Sequence, residues 1–143
     1  MHPEERTFDV FLRRQFRIGN FKLSMDPGGF GYQPRAILRT SATGLSLTRV
    51  NSRGKPIQGT SVFPRSWTWR WGQVVGAQSF VVGYMGWGFP PTQFGLRLDI
   101  HGESFYPLLA TNQLDALAEV LQVHGVAVDR TPKKLNWYLT GRR

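Results

Sequence analysis

Apolar and polar residues alternate strictly at positions 96 to 101, where Leu, Leu and Ile are separated by Arg, Asp and His. A period of two is typical of a β-strand with one buried and one solvated face. Gly102 then supplies the positive φ that a tight turn needs, and an apolar run returns from Ser104 to Leu109. This stretch therefore predicts a β-hairpin.

The period changes after Asn112. Apolar residues now recur at intervals of three and four, at Leu114, Leu117, Ala118 and Leu121. That spacing places them on one stripe of an amphipathic helix of about three turns. Asn112 is the expected N-cap, Asp115 closes a capping box, and Gly125 is placed to be the C′ residue. We predict that the helix packs its leucines on the sheet.

Further strand-like runs precede this unit and are separated by glycine, proline and polar residues. They lie at 16–25, 36–40, 45–50, 57–63 and 74–82. The first run contains Gly19 and Asn20, which are suited to a hairpin turn. The chain also contains 10 Phe, 5 Trp, 4 Tyr and 16 Gly. Aromatic runs punctuated by turn residues favour a mainly β fold.

The N-terminal segment is predicted to be an amphipathic helix covering residues 1–16. Pro3 suits the first helical position, and two glutamates follow in the first turn. Its apolar stripe consists of Phe8, Phe11, Leu12 and Phe16. A basic helix with such a face lies on a membrane or docks on protein, and docking on its own domain or a neighbouring subunit is the preferred interpretation.

Three tryptophans alternate with polar residues, at Trp67, Trp69 and Trp71. Three indoles on one strand face bury a large apolar area. The alternative is a platform on which nucleic-acid bases stack, beside Arg65 and Arg70. Core or interface packing is the favoured interpretation.

Two segments combine large apolar groups with irregular or basic sequence, and both are predicted to contact partners. The glycine- and proline-rich loop at 83–91 contains Tyr84, Met85, Trp87 and Phe89. Clustered apolar groups on such a loop usually mark a contact surface. The basic segment 129–143 contains Trp137 and Tyr138, which suit an interface anchor.

The charge is unbalanced, with 18 Lys and Arg against 9 Asp and Glu, a net charge of +9. A surplus of this size favours an anionic partner, namely nucleic acid, a phospholipid surface or an acidic protein, although it also keeps like molecules apart. The candidate anion-binding residues are Arg49, Arg53, Lys55, Arg130, Lys133 and Lys134. For the turn at 49–55 a solvated surface is the favoured alternative.

The sequence contains no recognisable catalytic or metal-binding constellation. There is no cysteine, and the three histidines lack the spacing of metal ligands. Asp99, His101 and Glu103 cluster at the predicted hairpin turn, where they are interpreted as exposed polar residues. We therefore expect no enzyme, metal or cofactor. No signal peptide or apolar membrane span is recognised, so we expect a cytoplasmic protein.

Patterns of size and polarity across residues 36–128 resemble the pleckstrin-homology-like (PH-like) domains, especially the small bacterial ones. The matching stretches are Gly44-Leu45-Ser46-Leu47, Trp71-Gly72-Gln73-Val74-Val75, Gly95-Leu96-Arg97-Leu98, Gly102-Glu103-Ser104-Phe105 and Leu114-x-x-Leu117-x-x-x-Leu121-x-x-x-Gly125. The resemblance implies a small barrel or sandwich of antiparallel strands with one C-terminal helix at its end. It also implies a non-enzymatic module that binds proteins, peptides or lipids.

Together these patterns divide the chain into an N-terminal arm at 1–35, a PH-like domain at 36–128 and a basic aromatic tail at 129–143. The preferred hypothesis is a binding or assembly module whose arms contact neighbouring subunits, in a homo- or hetero-oligomer such as a bacterial or phage particle. One alternative is a membrane-surface adaptor for anionic lipids. The other is a single-stranded nucleic-acid binder that uses the face of Trp67, Trp69 and Trp71.

Overall fold

The computed structural model describes residues 5–18, 21–24, 35–60, 64–82, 93–135 and 139–142. These residues form ten strands, one α-helix and a short 3-10 turn at Trp71–Gln73. The elements are β1 Arg6–Ile18, β2 Phe21–Ser24, β3 Arg35–Thr40, β4 Gly44–Val50, β5 Ser66–Arg70, β6 Val74–Val82, β7 Gln93–Ile100, β8 Phe105–Ala110, α1 Leu114–Val123, β9 Ala127–Leu135 and β10 Leu139–Arg142.

The strands follow the order β5-β4-β3-β1-β8-β7-β6-β9, and β2 pairs with β1 and β10 beside this path. Neighbours are antiparallel, except that β9 runs parallel to β6. The long strand β1 lies in the middle, with Arg6 to Phe11 paired to β3 and Phe11 to Phe16 paired to β8. It therefore joins a β3–β5 half of the sheet to a β6–β9 half.

The fold class predicted from the sequence is confirmed, since the chain is mainly β with antiparallel strands and one helix near its C-terminus. The hairpin predicted around Gly19 and Asn20 is also confirmed, because Ile18 pairs with Phe21.

The predicted helix is confirmed, together with its buried stripe. Leu117, Ala118 and Leu121 are buried, and Leu114 packs against the same core. The N-cap is Gln113, one residue later than predicted, and its N–H donates to the Thr111 hydroxyl at 3.0 Å. Gly125 ends the helix with a φ of +87°, the left-handed conformation that its position predicts.

One apolar core takes side chains from both halves of the sheet and from α1. Its fully buried members include Phe8, Leu38, Leu47, Leu98, Leu109 and Leu121. No helix within the described ranges is long and apolar enough to cross a membrane. Helix α1 packs in this core and contacts β7 and β9.

The predicted N-terminal helix is wrong, because residues 6–18 form strand β1. Phe8, Val10 and Leu12 are buried while Thr7 and Asp9 are exposed, so the period of two prevails over the spacing of three and four. Backbone pairing with β3 and β8 stabilises the extended form. Phe8 and Leu12 are core residues, so they do not form the partner-contacting face that the sequence predicted. Residues 1–4 lie outside the described part of the chain.

The predicted C-terminal tail begins inside a strand. Residues 127–135 form β9, which lengthens the sheet beside β6, and residues 139–142 form β10 beside β2. The run predicted as a strand at 57–63 is irregular over its described part, 57–60, and β5 is the strand that pairs with β4. Both β1 and β9 therefore belong to the same sheet as the predicted domain.

Gly95→Ala is expected to destabilise the fold, because β7 passes unusually close to β8 at this residue. A Cβ at Gly95 would lie 2.2 Å from the Leu109 carbonyl oxygen and 2.7 Å from the Ala110 Cα. Backbone cannot rotate away as a side chain can, so we expect a loss of about 1–3 kcal/mol in urea unfolding. The matched control is Gly72→Ala, where a Cβ meets nothing within 4 Å. Equal midpoints for the two variants would contradict the close approach.

Candidate binding groove

A cleft of about 320 Å³ lies where β1 and β3 meet the start of β7 and the end of β8. Its lining residues are Asp9, Val10, Phe11, Arg35, Phe94, Ala110, Thr111 and Asn112. A second depression shares Phe94, Thr111 and Asn112 and continues to the first turn of α1. We call the combined feature the Phe94 groove.

The register of the central strands brings these residues together. Phe11 lies opposite Arg35 on one side and opposite Ala110 on the other. Beyond the end of β8, the Thr111 N–H donates to the Phe94 carbonyl at 3.0 Å. Phe11 is half-buried and packs against Ala110, whereas the Phe94 side chain is 48% exposed. The groove therefore has an apolar floor and an exposed aromatic rim.

Two charged side chains also line the groove. The Arg35 guanidinium lies 3.5 Å from the Asp9 carboxylate, and these side chains are 34% and 72% exposed. Such an exposed pair contributes little to stability, about 0–1 kcal/mol. Arg35 also donates to the Ser52 carbonyl at 3.0 Å. Its side chain therefore connects the groove to the loop between β4 and β5.

That loop carries two of the predicted anion-binding residues, and a third, Arg49, lies at the end of β4. Arg53 and Lys55 are exposed, and their backbone N–H groups both donate to the Asn51 side-chain oxygen. The half-buried Arg49 donates to the Pro64 carbonyl at 3.1 Å. These three cations and Arg35 therefore lie around one loop, and Arg35 is the member of this group that lines the groove.

The other three predicted anion-binding residues lie elsewhere. Arg130, Lys133 and Lys134 are on β9, at the opposite end of the strand order from β5. Arg130 pairs with the Asp115 carboxylate at 3.6 Å and donates to Gln122, while the two lysines are exposed. The six residues thus form two separate groups.

The three indoles pack within the chain and do not form a free stacking platform. Trp69 is only 2% exposed, and its N–H donates to the Glu103 carboxylate at 2.8 Å. Trp67 meets Phe105 edge-on, with ring centroids 5.8 Å apart. Trp71 stacks on His124 at 4.1 Å and 7°. The packing interpretation of the tryptophans is therefore confirmed. Of the three polar residues at the hairpin turn, Glu103 accepts the hydrogen bond from Trp69, and Asp99 and His101 are exposed.

Six predicted contact residues lie outside the described part of the chain: Tyr84, Met85, Trp87, Phe89, Trp137 and Tyr138. Sequence reasoning missed Phe94, Arg35 and Asn112 as site residues. Arg35 is the first residue of β3 and Phe94 is the second residue of β7, positions at strand ends that gave no periodic signal. In the described ranges, no group of three His, Asp or Glu residues is placed to hold a metal ion.

Comparisons with known proteins assign no family. No family model matches the sequence, and no curated protein matches it. Among solved structures, the chain is similar to the hSac2 domain from human phosphoinositide phosphatase Sac2. The identity is 10%, the TM-score is 0.49, and the match covers 100% of this chain and 86% of that one. A likeness at this level assigns no function, and the fold class stands on the strand order of the chain itself.

Proposed function

We propose that this protein is a non-enzymatic, PH-like binding module that holds a neighbouring polypeptide in its Phe94 groove. The observation that supports the proposal is an exposed aromatic rim that lies over an apolar floor and beside a basic loop. The wider setting that we propose is a cytoplasmic assembly, such as a bacterial or phage particle.

The groove has the composition of a small protein-binding site. Binding energy at such sites is concentrated in a few aromatic or arginine residues that are surrounded by a polar rim. Here Phe94 and Phe11 supply the apolar contact, while Asp9 and Arg35 supply polar groups at the edge. The apolar part of the groove therefore fits one large apolar side chain of a partner.

Charge complementarity indicates an acidic partner. Arg35 lines the groove and contacts the loop that carries Arg53 and Lys55, and the chain as a whole carries +9. A second copy of the chain would bring the same positive charge and would be repelled at low salt. We therefore propose an acidic segment with one apolar anchor as the occupant.

The test uses a fluorescein-labelled synthetic peptide of Glu, Asp and Gly with a single central Trp, followed by fluorescence anisotropy at low salt. We expect the wild-type protein to bind it. Phe94→Asp is expected to weaken binding by about tenfold, because it removes the aromatic contact and adds a like charge. Val123→Asp is the matched control, since Val123 is 75% exposed on α1 and outside the groove.

Three results would contradict the proposal. They are equal affinities for the Phe94→Asp and Val123→Asp proteins, equal binding of a peptide that lacks the Trp, and no binding at low salt. Phosphatidylserine vesicles form a parallel arm of the experiment. If they bind while the peptide does not, and if Arg53→Gln with Lys55→Gln releases them, the protein is a membrane-surface adaptor instead.

A further inference from the structure

Strands β3, β4 and β5 turn one side away from the core. On β5 the tryptophans at 67 and 69 point inward, so Ser66, Thr68 and Arg70 point outward. The register continues this surface across the neighbouring strands, with Arg39 opposite Ser46 and Ser46 opposite Thr68. We call it the hydroxyl–arginine face, which consists of Arg39, Ser46, Thr48, Ser66, Thr68 and Arg70.

This face is accessible and mostly polar, with the half-buried Ile37 beside Thr48. Four of its six side chains are exposed, and Ser46 and Thr48 are partly exposed. The exposed large apolar residues of the described chain are Val75, Phe94 and Val123, which lie on other strands or on the helix. The face therefore lacks the aromatic anchors typical of a protein interface and the apolar wedge that inserts into a membrane.

The face also lies in a part of the sequence without acidic residues. Positions 27–98 contain no Asp or Glu, and their Lys and Arg residues are Arg35, Arg39, Arg49, Arg53, Lys55, Arg65, Arg70 and Arg97. By register the nearest acid on this side is Asp9, opposite Ile37, and it pairs with Arg35. Within the described residues neither Arg39 nor Arg70 forms an ion pair.

We infer that the hydroxyl–arginine face binds the phosphodiester backbone of a nucleic-acid duplex without reading its sequence. Arginine and Ser or Thr hydroxyls are groups that contact phosphate oxygens in such complexes. Adjacent strands set the side chains about 4.8 Å apart, and alternate residues along a strand lie about 6.7 Å apart. Single strands are held largely by aromatic stacking, and the tryptophans of β5 face the other way. A duplex therefore fits this surface better than a single strand.

The test measures the salt dependence of binding to a fluorescently labelled mixed-sequence duplex DNA by anisotropy. Each phosphate contact contributes about 0.9 to the slope of log affinity against log salt concentration. Arg39→Gln with Arg70→Gln is therefore expected to reduce that slope by about 1.8. The matched control is Lys133→Gln with Lys134→Gln, which removes the same charge from exposed residues of β9 and leaves the slope unchanged.

Distinct outcomes would overturn the inference. Equal slope changes in the two double variants would show that total charge, not this face, attracts DNA. Tighter binding of a single strand of equal length would place the contact on bases. If phosphatidylserine vesicles bind the wild type but not the Arg39 and Arg70 variant, the face binds a membrane surface instead. Absence of duplex binding at low salt would also refute the inference. Phe94→Ala removes the aromatic rim of the groove without changing the net charge and is expected to leave duplex binding unchanged, so this result is independent of the groove.

Discussion

Trp69→Ala is expected to destabilise the protein by about 3–5 kcal/mol, the cost of removing a buried aromatic side chain. The indole is 2% exposed and stacks beside Trp67, with ring centroids 6.4 Å apart. Its N–H reaches from β5 to Glu103, in the turn between β7 and β8. The substitution therefore opens a cavity and also removes a link between the two halves of the sheet. Urea unfolding followed by circular dichroism measures the loss.

Two further variants separate the cavity from the hydrogen bond. Trp69→Phe keeps an aromatic ring but leaves the Glu103 carboxylate without this donor, so we expect a smaller loss of about 1–3 kcal/mol. Thr68→Ala is the control, because Thr68 is the exposed neighbour on the same strand. If Trp69→Phe costs as much as Trp69→Ala, the hydrogen bond is the dominant contribution and the cavity argument fails.

The same tryptophans show what the sequence could establish and what it could not. Alternation on β5 correctly indicated that Trp67 and Trp69 share one face. The size of the indoles favoured burial of that face, but the strands that cover it could not be identified from the sequence. The structure turns the indoles inward and presents Thr68 and Arg70 to solvent. The nucleic-acid surface that we propose is therefore on the opposite side of β5 from the tryptophan platform that the sequence offered as an alternative.

The N-terminal segment fitted two periods equally well. Phe8 and Leu12 are spaced by four, as in a helix, and both are also in phase with Val10, as in a strand. Local propensity does not decide such a segment, because strand formation depends on neighbours that are distant in sequence. Here β3 and β8 supply those neighbours on either side of β1. The C-terminal helix had no such ambiguity, since its stripe, Asp115 and Gly125 all indicated the same element.

The groove was beyond the reach of sequence analysis for a related reason. Asp9, Arg35, Phe94 and Asn112 come from four separate parts of the chain and meet only through the strand register. The basic loop was recognisable, because Arg49, Arg53 and Lys55 are close in sequence. Its connection to the groove through Arg35 depends on a contact with Ser52, seventeen positions away. Local clusters of charge are thus predictable, whereas sites assembled by strand pairing are not.

Leu121→Ala is expected to lower the free energy of unfolding by about 2–5 kcal/mol, because the Leu121 side chain packs the helix on the sheet. Its side chain is fully buried in the core that α1 shares with β7 and β9. Its carbonyl accepts hydrogen bonds from the His124 and Val126 N–H groups, at 3.1 and 3.0 Å. These bonds hold the backbone in place, so the structure relaxes little around the cavity that the substitution leaves.

Thermal and urea unfolding of Leu121→Ala, compared with Val123→Ala, measures the effect. Val123 is 75% exposed on the same helix and is expected to change stability by no more than about 0.5 kcal/mol. Similar losses in the two variants would show that the helix contributes through its propensity alone and does not close the core.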